Sequence, residues 1–170
     1  DWAEAPFGSG QLLDVGCGAG MFLKEATRLG WRCTGIDLSP VAVAAARKNA
    51  LGAKVCLGTL DTLREEGQFD LINMSHVLEH LPDPRRALRQ CFKLLATGGT
   101  LHLNIPNIGS FEAKLFGKYW RGLDIPRHLV HFREPVIRRL LAETGFSDIK
   151  VRPAMMASSI SDSIILAMPT

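Results

Sequence analysis

QLLDVGCGAG, residues Gln11–Gly20, is the stretch that decides the fold. Leu12, Leu13 and Val15 are apolar, Asp14 interrupts them, and glycines follow at positions 16, 18 and 20. Met21 to Leu29 then carries Phe22, Leu23, Ala26 and Leu29 at helical spacing. The pattern is a buried strand that breaks into a glycine turn and reopens as a helix. Gly16 permits the tight turn, and Gly18 lets a ligand approach bare backbone. The helix start offers unpaired N–H groups to an electronegative group. A plain strand–helix turn would use the same glycines, so the trio alone does not establish a site.

The spacing narrows the ligand. A dinucleotide fingerprint, G-x-G-x-x-G, needs glycine at position 21, where this chain has Met21. Asp14 stands two residues before the first glycine. A carboxylate there repels a pyrophosphate and attracts an ammonium group. The ligand chemistry that matches is S-adenosylmethionine (SAM), with an amine on its methionine end and a cationic sulfur.

The 170 residues suffice for one domain with one core. With 46% apolar and 22% charged residues the composition is that of a soluble globular chain. The net charge of +3 comes from scattered residues without a Lys/Arg block, so no nucleic-acid partner is expected. Arg85, Arg86 and Arg89 form a solvated helix face. No apolar run reaches the ~20 residues that cross a bilayer, and no signal peptide is visible. Cys17, Cys33, Cys56 and Cys91 lack C-x-x-C spacing and fit free thiols in a reducing compartment, so a cytoplasmic location is expected. The chain begins at Asp1 rather than Met, as a piece of a longer protein would.

Residues 1–10, with Pro6, Gly8, Ser9 and Gly10, have the composition of a linker or the remnant of a preceding element. Beyond Gly30 the pattern predicts a strand over Trp31–Ile36 closing on Asp37, then a helix capped by Ser39 and opened by Pro40. Further strands are expected at 53–57, 69–74 and 100–105. A helix opened by Asp83 and Pro84 runs through RRALRQCFKLLA, residues 85–96. Such alternation means a parallel sheet with helices on both faces, with ligands at the carboxyl ends of its strands. Gly16–Gly20, Asp37, Gly58–Leu60 and Asn73–His76 all fall at such ends. Asp37 lies 21 residues after Gly16, the position from which an acid binds ribose hydroxyls in nucleotide-binding α/β folds. A helix opened by Glu134-Pro135 and two strands, 147–152 and 161–168, complete the chain. The two strands are too close in sequence for a crossover and should pair antiparallel at the sheet edge.

Residues 106–132 interrupt the alternation with Phe111, Phe116, Tyr119, Trp120, His128, His131 and Phe132. A long apolar insertion at the ligand end of a sheet suits a lid on the substrate side, or a packed loop over the sheet edge. His128 and His131 are the candidate catalytic residues, because histidine can take a hydroxyl proton near neutral pH. His76-Val77-Leu78-Glu79-His80 matches the H-x-x-E-H spacing of a zinc protease, but Pro82 leaves too little helix to present it. His80 with His128 and His131 is a second metal-type set, and neither is expected to hold a metal.

Together these motifs resemble the class I SAM-dependent methyltransferases, in their small-molecule and lipid-type branch. The matching residues are Asp14–Gly20, Gly35–Pro40, Phe69-Asp70, Val77–Pro84, Gly98–Leu101 and Asp124–Leu129, so the resemblance covers residues 11–168. It implies a single Rossmann-like, doubly wound domain over residues 1–170. Its sheet would have seven mostly parallel strands in the order 3-2-1-4-5-7-6, strand 7 antiparallel. Asp14, Gly16, Cys17, Gly18 and Gly20 would hold the methionine part of SAM, Asp37 the ribose and Leu38 the adenine. Asn73, Met74 and Ser75 would line the cofactor beside its methyl group. Where the branch often has an acid contacting adenine this chain has Thr59, so that contact would pass to the Leu60 backbone. Thr97-Gly98-Gly99 replaces the branch's Pro-Gly-Gly, and no counterpart of its N-terminal covering helix is expected within residues 1–170. The implied function is methyl transfer from SAM, leaving S-adenosylhomocysteine (SAH), to a small organic or lipid-like acceptor at oxygen. Two alternatives stay open on the residues alone: a nicotinamide-dependent oxidoreductase on a similar sheet, and a SAM-binding module without catalysis.

Overall fold

A computed structural model describes residues 10–63, 67–153 and 162–169. The expected linker lies outside these apart from Gly10, as does Ser161, the expected start of the last strand. The strands are β1 (Gln11–Val15), β2 (Arg32–Asp37), β3 (Lys54–Leu57), β4 (Phe69–Ser75), β5 (Leu95–Pro106), β6 (Phe146–Pro153) and β7 (Asp162–Pro169). They form one sheet in the order β3-β2-β1-β4-β5-β7-β6. β1 to β5 run parallel, and β7 is antiparallel to both of its neighbours. This is the expected fold, and the expected pairing of the last two strands.

Among the described residues the α-helices are α1 (Met21–Arg28), α2 (Pro40–Asn49), α3 (Pro84–Leu94), α4 (Phe111–Phe116) and α5 (Glu134–Glu143). The side chains of Ser39 and Asp83 cap α2 and α3, accepting from the N–H groups of Ala42 and Arg86, and Pro40 and Pro84 open the helices. The sheet is buried on both faces. Leu12 belongs to one apolar cluster with Leu23, Val43 and Val55, and its neighbour Leu13 to another with Met74, Leu88, Leu101 and Ile137. Each fully buried leucine contributes about 1.5–3 kcal/mol by leaving water. Two-sided burial is why β1 shows a nearly continuous apolar run rather than alternation.

Two boundaries differ from expectation by more than one residue. Helix α3 ends at Leu94 rather than Ala96, and β5 begins at Leu95 rather than Thr100. Leu95 pairs with Phe69, the register then shifts, and Gly98 takes a positive φ of 77° before Thr100 resumes pairing with Leu71. The two glycines are therefore an irregularity within a strand rather than a turn before it.

Segment 106–132 folds back on itself. Asn107 and Phe132 form an isolated bridge, with Ile108 N–H donating to the Phe132 carbonyl at 3.0 Å. Ser110 caps α4, and Trp120 and Phe132 are buried. The N–H groups of Leu129 and Val130 donate to the Glu79 carbonyl at 2.8 and 3.1 Å, fastening the segment beside the end of β4.

Candidate active site

The glycine turn follows β1 and leads into α1. Gly16, Gly18 and Gly20 have φ of 69°, 53° and 80°, a region costly for residues with a Cβ. Their surroundings differ. A Cβ on Gly16 would lie 2.5 Å from Val77 Cγ2, and one on Gly20 2.9 Å from the Ala46 backbone, whereas one on Gly18 would meet nothing within 4 Å. Gly16 and Gly20 are therefore packing requirements, and Gly18 is where bare backbone faces open space.

Asp14 and Asp37 flank this turn. Asp37 Oδ2 accepts from Gly18 N–H at 2.9 Å and Oδ1 from Ser39 N–H at 2.8 Å, so the carboxylate ties the turn to the start of α2. Asp14 is only 3% exposed, and its Oδ1 accepts from Asn73 Nδ2 at 2.6 Å. Burial pushes its pKa up from the ordinary 3.8 to about 7; the Asn73 hydrogen bond opposes this and the nearby Asp37 charge adds to it. A buried carboxylate held on the edge of protonation, next to open glycine backbone, matches a cationic group that would neutralise it.

The other expected cofactor residues divide by where their side chains point. Leu38 is 69% exposed at the end of β2, available to pack on a base. Cys17 is buried, and burial first, then the charges of Asp14 and Asp37, push its thiol up to about 12, so it stays neutral. Thr59 uses its hydroxyl to cap the 3-10 turn Leu60–Thr62, accepting from Asp61 N–H, and Leu60 buries its side chain. Their backbone is what they can offer a ligand. Strand alternation sends Asn73 and Ser75 to one face of β4 and Met74 to the other. Met74 is fully buried, its sulfur 3.6 Å from Cys91 Sγ, so it too has only backbone to offer.

Beside Ser75 the structure brings together residues far apart in sequence. Asn104 on β5 donates from Nδ2 to Ser75 Oγ at 3.4 Å, and its carbonyl accepts from His76 N–H at 2.9 Å. His76 has a positive φ of 55°, a strained conformation of a kind that clusters at functional sites. Glu79 is 1% exposed, and neither carboxylate oxygen has a hydrogen-bond partner. Its Oε1 lies 3.4 Å from His76 Nδ1 and 3.9 Å from His128 Nε2.

His128 is held from segment 106–132. Its Nδ1 is 2.8 Å from the Gly122 carbonyl, which can only accept, so Nδ1 carries a hydrogen and Nε2 is the free base when the ring is neutral. Nε2 faces Glu79 and Asp124, each 3.9 Å away. Asp124 is half-buried, and its hydrogen bond from Arg127 holds its carboxyl below the usual range. His131 donates from Nε2 to the Leu123 carbonyl at 2.8 Å, and its ring centre is 6.2 Å from that of His128. His80 packs edge-on against His128, with ring centres 4.7 Å apart.

Two carboxylates face the free nitrogen of one imidazole, an arrangement that suits a proton acceptor. Glu79, His80 and His128 also place one donor atom each within 4.8 Å of one another, which a cation or a shared proton could bridge. The expected failure of the H-x-x-E-H helix is borne out, since Leu78–His80 is a single 3-10 turn. Sequence reasoning met Glu79 only as part of the H-x-x-E-H spacing and did not single out His102 or Asn104. The only signal for them was their position at or near the carboxyl ends of β4 and β5.

A parallel sheet with a glycine turn after its first strand and an acid after its second defines a nucleotide-binding α/β class, in the variant suited to a cationic ligand. A family profile described as a methyltransferase domain matches residues 2–151. The chain is 33% identical over 140 residues to a ubiquinone biosynthesis O-methyltransferase of Xanthomonas oryzae pv. oryzae, covering 78% of this chain and 59% of the relative. It is 34% identical over 132 residues to the protein of that name from Xanthomonas campestris pv. campestris, covering 73% and 55%. It therefore spans less than two thirds of the length of these relatives. Among solved structures it is similar to magnesium protoporphyrin IX methyltransferase from Synechocystis PCC 6803 with bound SAH (TM-score 0.80, 21% identity, covering 99% of this chain and 78% of the other). It is also similar to a SAM-dependent methyltransferase, possibly of histamine, from Thermotoga maritima (TM-score 0.77, 22% identity, covering 99% and 86%). The chain belongs to the class I SAM-dependent methyltransferases. SAM is the methyl donor of that family, and the open backbone at Gly18 and the buried Asp14 fit it.

Proposed function

We propose that this chain moves the methyl group of SAM to an oxygen atom of a small organic or lipid-like acceptor. The observation that carries the proposal is the open backbone of Gly18 in the glycine turn, its N–H held by Asp37 and the turn preceded by the buried carboxylate of Asp14. Asp14 would hold the amine of SAM, Asp37 its ribose hydroxyls, Leu38 one face of its base, and the Leu60 backbone the base edge. Asn73, Ser75 and the Met74 backbone would line the reacting side. When bound, SAM supplies an activated methyl group, so the protein's task is alignment, worth ~7–11 kcal/mol in well-oriented reactions.

An oxygen acceptor must lose its proton. His128 Nε2 is our candidate to take it, with the Glu79 and Asp124 carboxylates each 3.9 Å from that nitrogen and His131 packed beside it. Segment 106–132 acts in this scheme as a lid whose exposed Phe111, Phe116 and Tyr119 give the acceptor an apolar wall. The relatives named for O-methylation in ubiquinone biosynthesis support oxygen as the acceptor atom. No helix among the described residues is long and apolar enough to cross a membrane.

The test is transfer of radiolabelled methyl from SAM to a panel of phenols, catechols and carboxylic acids carrying short and long alkyl tails. Label in an ether or ester product, with SAH formed in equal amount, is the expected result. Tight SAM binding with no transfer to any member would favour the non-catalytic module instead.

A further inference from the structure

His102 on β5 lies two strands from the glycine turn, yet it is joined to it. Asp14 is the register partner of Asn73 across β1 and β4, and Asn73 that of His102 across β4 and β5. Their side chains form a row. Asn73 Nδ2 is 2.6 Å from Asp14 Oδ1, and His102 Nδ1 is 2.6 Å from Asn73 Oδ1. Asp14 and Asn73 are almost fully buried, and His102 is largely so.

The row can close in two polarities. With Asp14 ionised, the Asn73 NH2 donates to it, Asn73 Oδ1 must accept, and His102 must carry its hydrogen on Nδ1. With Asp14 protonated, its O–H can donate to a reversed amide, whose NH2 then donates to His102 Nδ1, leaving the ring hydrogen on Nε2. The His102 tautomer and the Asp14 charge are thus two ends of one switchable chain. We propose that His102 is a positioning residue for the methyl donor: donating from Nδ1, it pins the Asn73 amide with its NH2 toward Asp14 and so holds that carboxyl as the anion that pairs with the amine of SAM.

Three observations favour this polarity. His102 Nε2 is buried with no hydrogen-bond partner, so a hydrogen there would be stranded, whereas one on Nδ1 is used. The register partner of His102 on β7 is Leu166, which offers the ring no polar group. Burial also pushes the ring pKa down to about 4, so it acts through its tautomer rather than through a charge. The titratable groups facing Asp14 are Asp37 and the thiols of Cys17 and Cys33, and both thiols are pushed up and stay neutral. Asp14 is therefore the group expected to titrate near neutrality in this row.

The proposal rests on the SAM reading of the site, and the experiment separates the two. SAH is titrated calorimetrically between pH 6 and 8.5 into the wild type, His102→Leu, His102→Asn, Asn73→Ala, and the double variant His102→Leu with Asn73→Ala. Wild-type affinity should fall below about pH 7. In His102→Leu the fall should begin about one pH unit higher, giving about fivefold weaker binding at pH 7 and near-convergence by pH 8.5. His102→Asn, which keeps a donor, should move back toward wild type, and His102→Leu should add nothing once Asn73 is alanine. A second readout needs no variant: with SAH bound, nitrogen NMR should find the His102 hydrogen on Nδ1. An unchanged pH midpoint in His102→Leu, whatever its melting temperature, or a hydrogen on Nε2, overturns the proposal. A wild type that binds no SAH at any pH overturns the SAM reading, and this proposal with it.

Discussion

Replacing Asp14 by Asn separates what stabilises the fold from what binds the ligand. In the folded protein burial raises the Asp14 pKa from 3.8 to about 7. A carboxyl whose folded pKa lies above its unfolded one binds more protons in the folded state between those two values, so stability falls as pH rises from about 4 to about 7 and then levels off. At ~1.36 kcal/mol per pH unit the full cost is roughly 4 kcal/mol, of which about 3 kcal/mol accrues between pH 5 and pH 8. Asparagine keeps an oxygen that can accept from Asn73 Nδ2 and carries no charge. Without ligand, Asp14→Asn should therefore melt higher than wild type, and the gap should widen by roughly 5–10 °C between pH 5 and pH 8. Adding SAH should reverse the order at pH 8, because the wild type gains an ion pair with the amine and the variant does not. The assay is thermal denaturation at both pH values with and without SAH. A gap that does not change with pH refutes the buried-charge reasoning, and equal SAH stabilisation of the two proteins refutes the role of Asp14.

Gly18→Val should fold with its melting temperature lowered by a few degrees, because a Cβ there meets nothing within 4 Å and only the positive φ is strained, yet calorimetry should find SAH binding weakened at least tenfold. Gly20→Val should instead fail to fold, as circular dichroism would show, because its Cβ would lie 2.9 Å from the Ala46 backbone. His128→Ala should lower kcat by about 10²–10⁴ with SAH affinity unchanged, and an unchanged turnover removes the proton-acceptor role. Glu79→Gln should lower kcat with SAH affinity unchanged, because it removes the buried carboxylate 3.9 Å from His128 Nε2; an unchanged kcat takes Glu79 out of the proton path.

The sheet was legible because its signals are local. A glycine turn after an apolar run, Asp37 at the next strand end and Pro40 and Pro84 at helix starts each act within a few residues, and the strand order followed from the resemblance they support. The boundary between α3 and β5 was not legible. Leu94, Leu95 and Ala96 continue an apolar helical pattern, and only pairing with Phe69 draws Leu95 into the sheet. The candidate cofactor residues do lie at strand ends, as their spacing predicts, but the direction of their side chains was not legible. Met74 sits between two residues facing the site and points into the core, as strand alternation requires. Least legible was the surrounding of Glu79. Its neighbours His76 and His128 are 52 residues apart in sequence, and they meet at this buried carboxylate where Leu129 and Val130 fasten segment 106–132 to the Glu79 carbonyl. The Asp14–Asn73–His102 row was hidden for the same reason, since it runs across three strands and through no continuous stretch of chain.

The most direct measurement is a crystal structure of the protein with SAH. The amine should lie within hydrogen-bond distance of Asp14, the ribose hydroxyls should lie on Asp37, and the chain should pass over the Gly18 backbone. SAH bound elsewhere, or lying across the turn with Asp14 still buried and out of its reach, would contradict the assignment of this turn as the methyl-donor site.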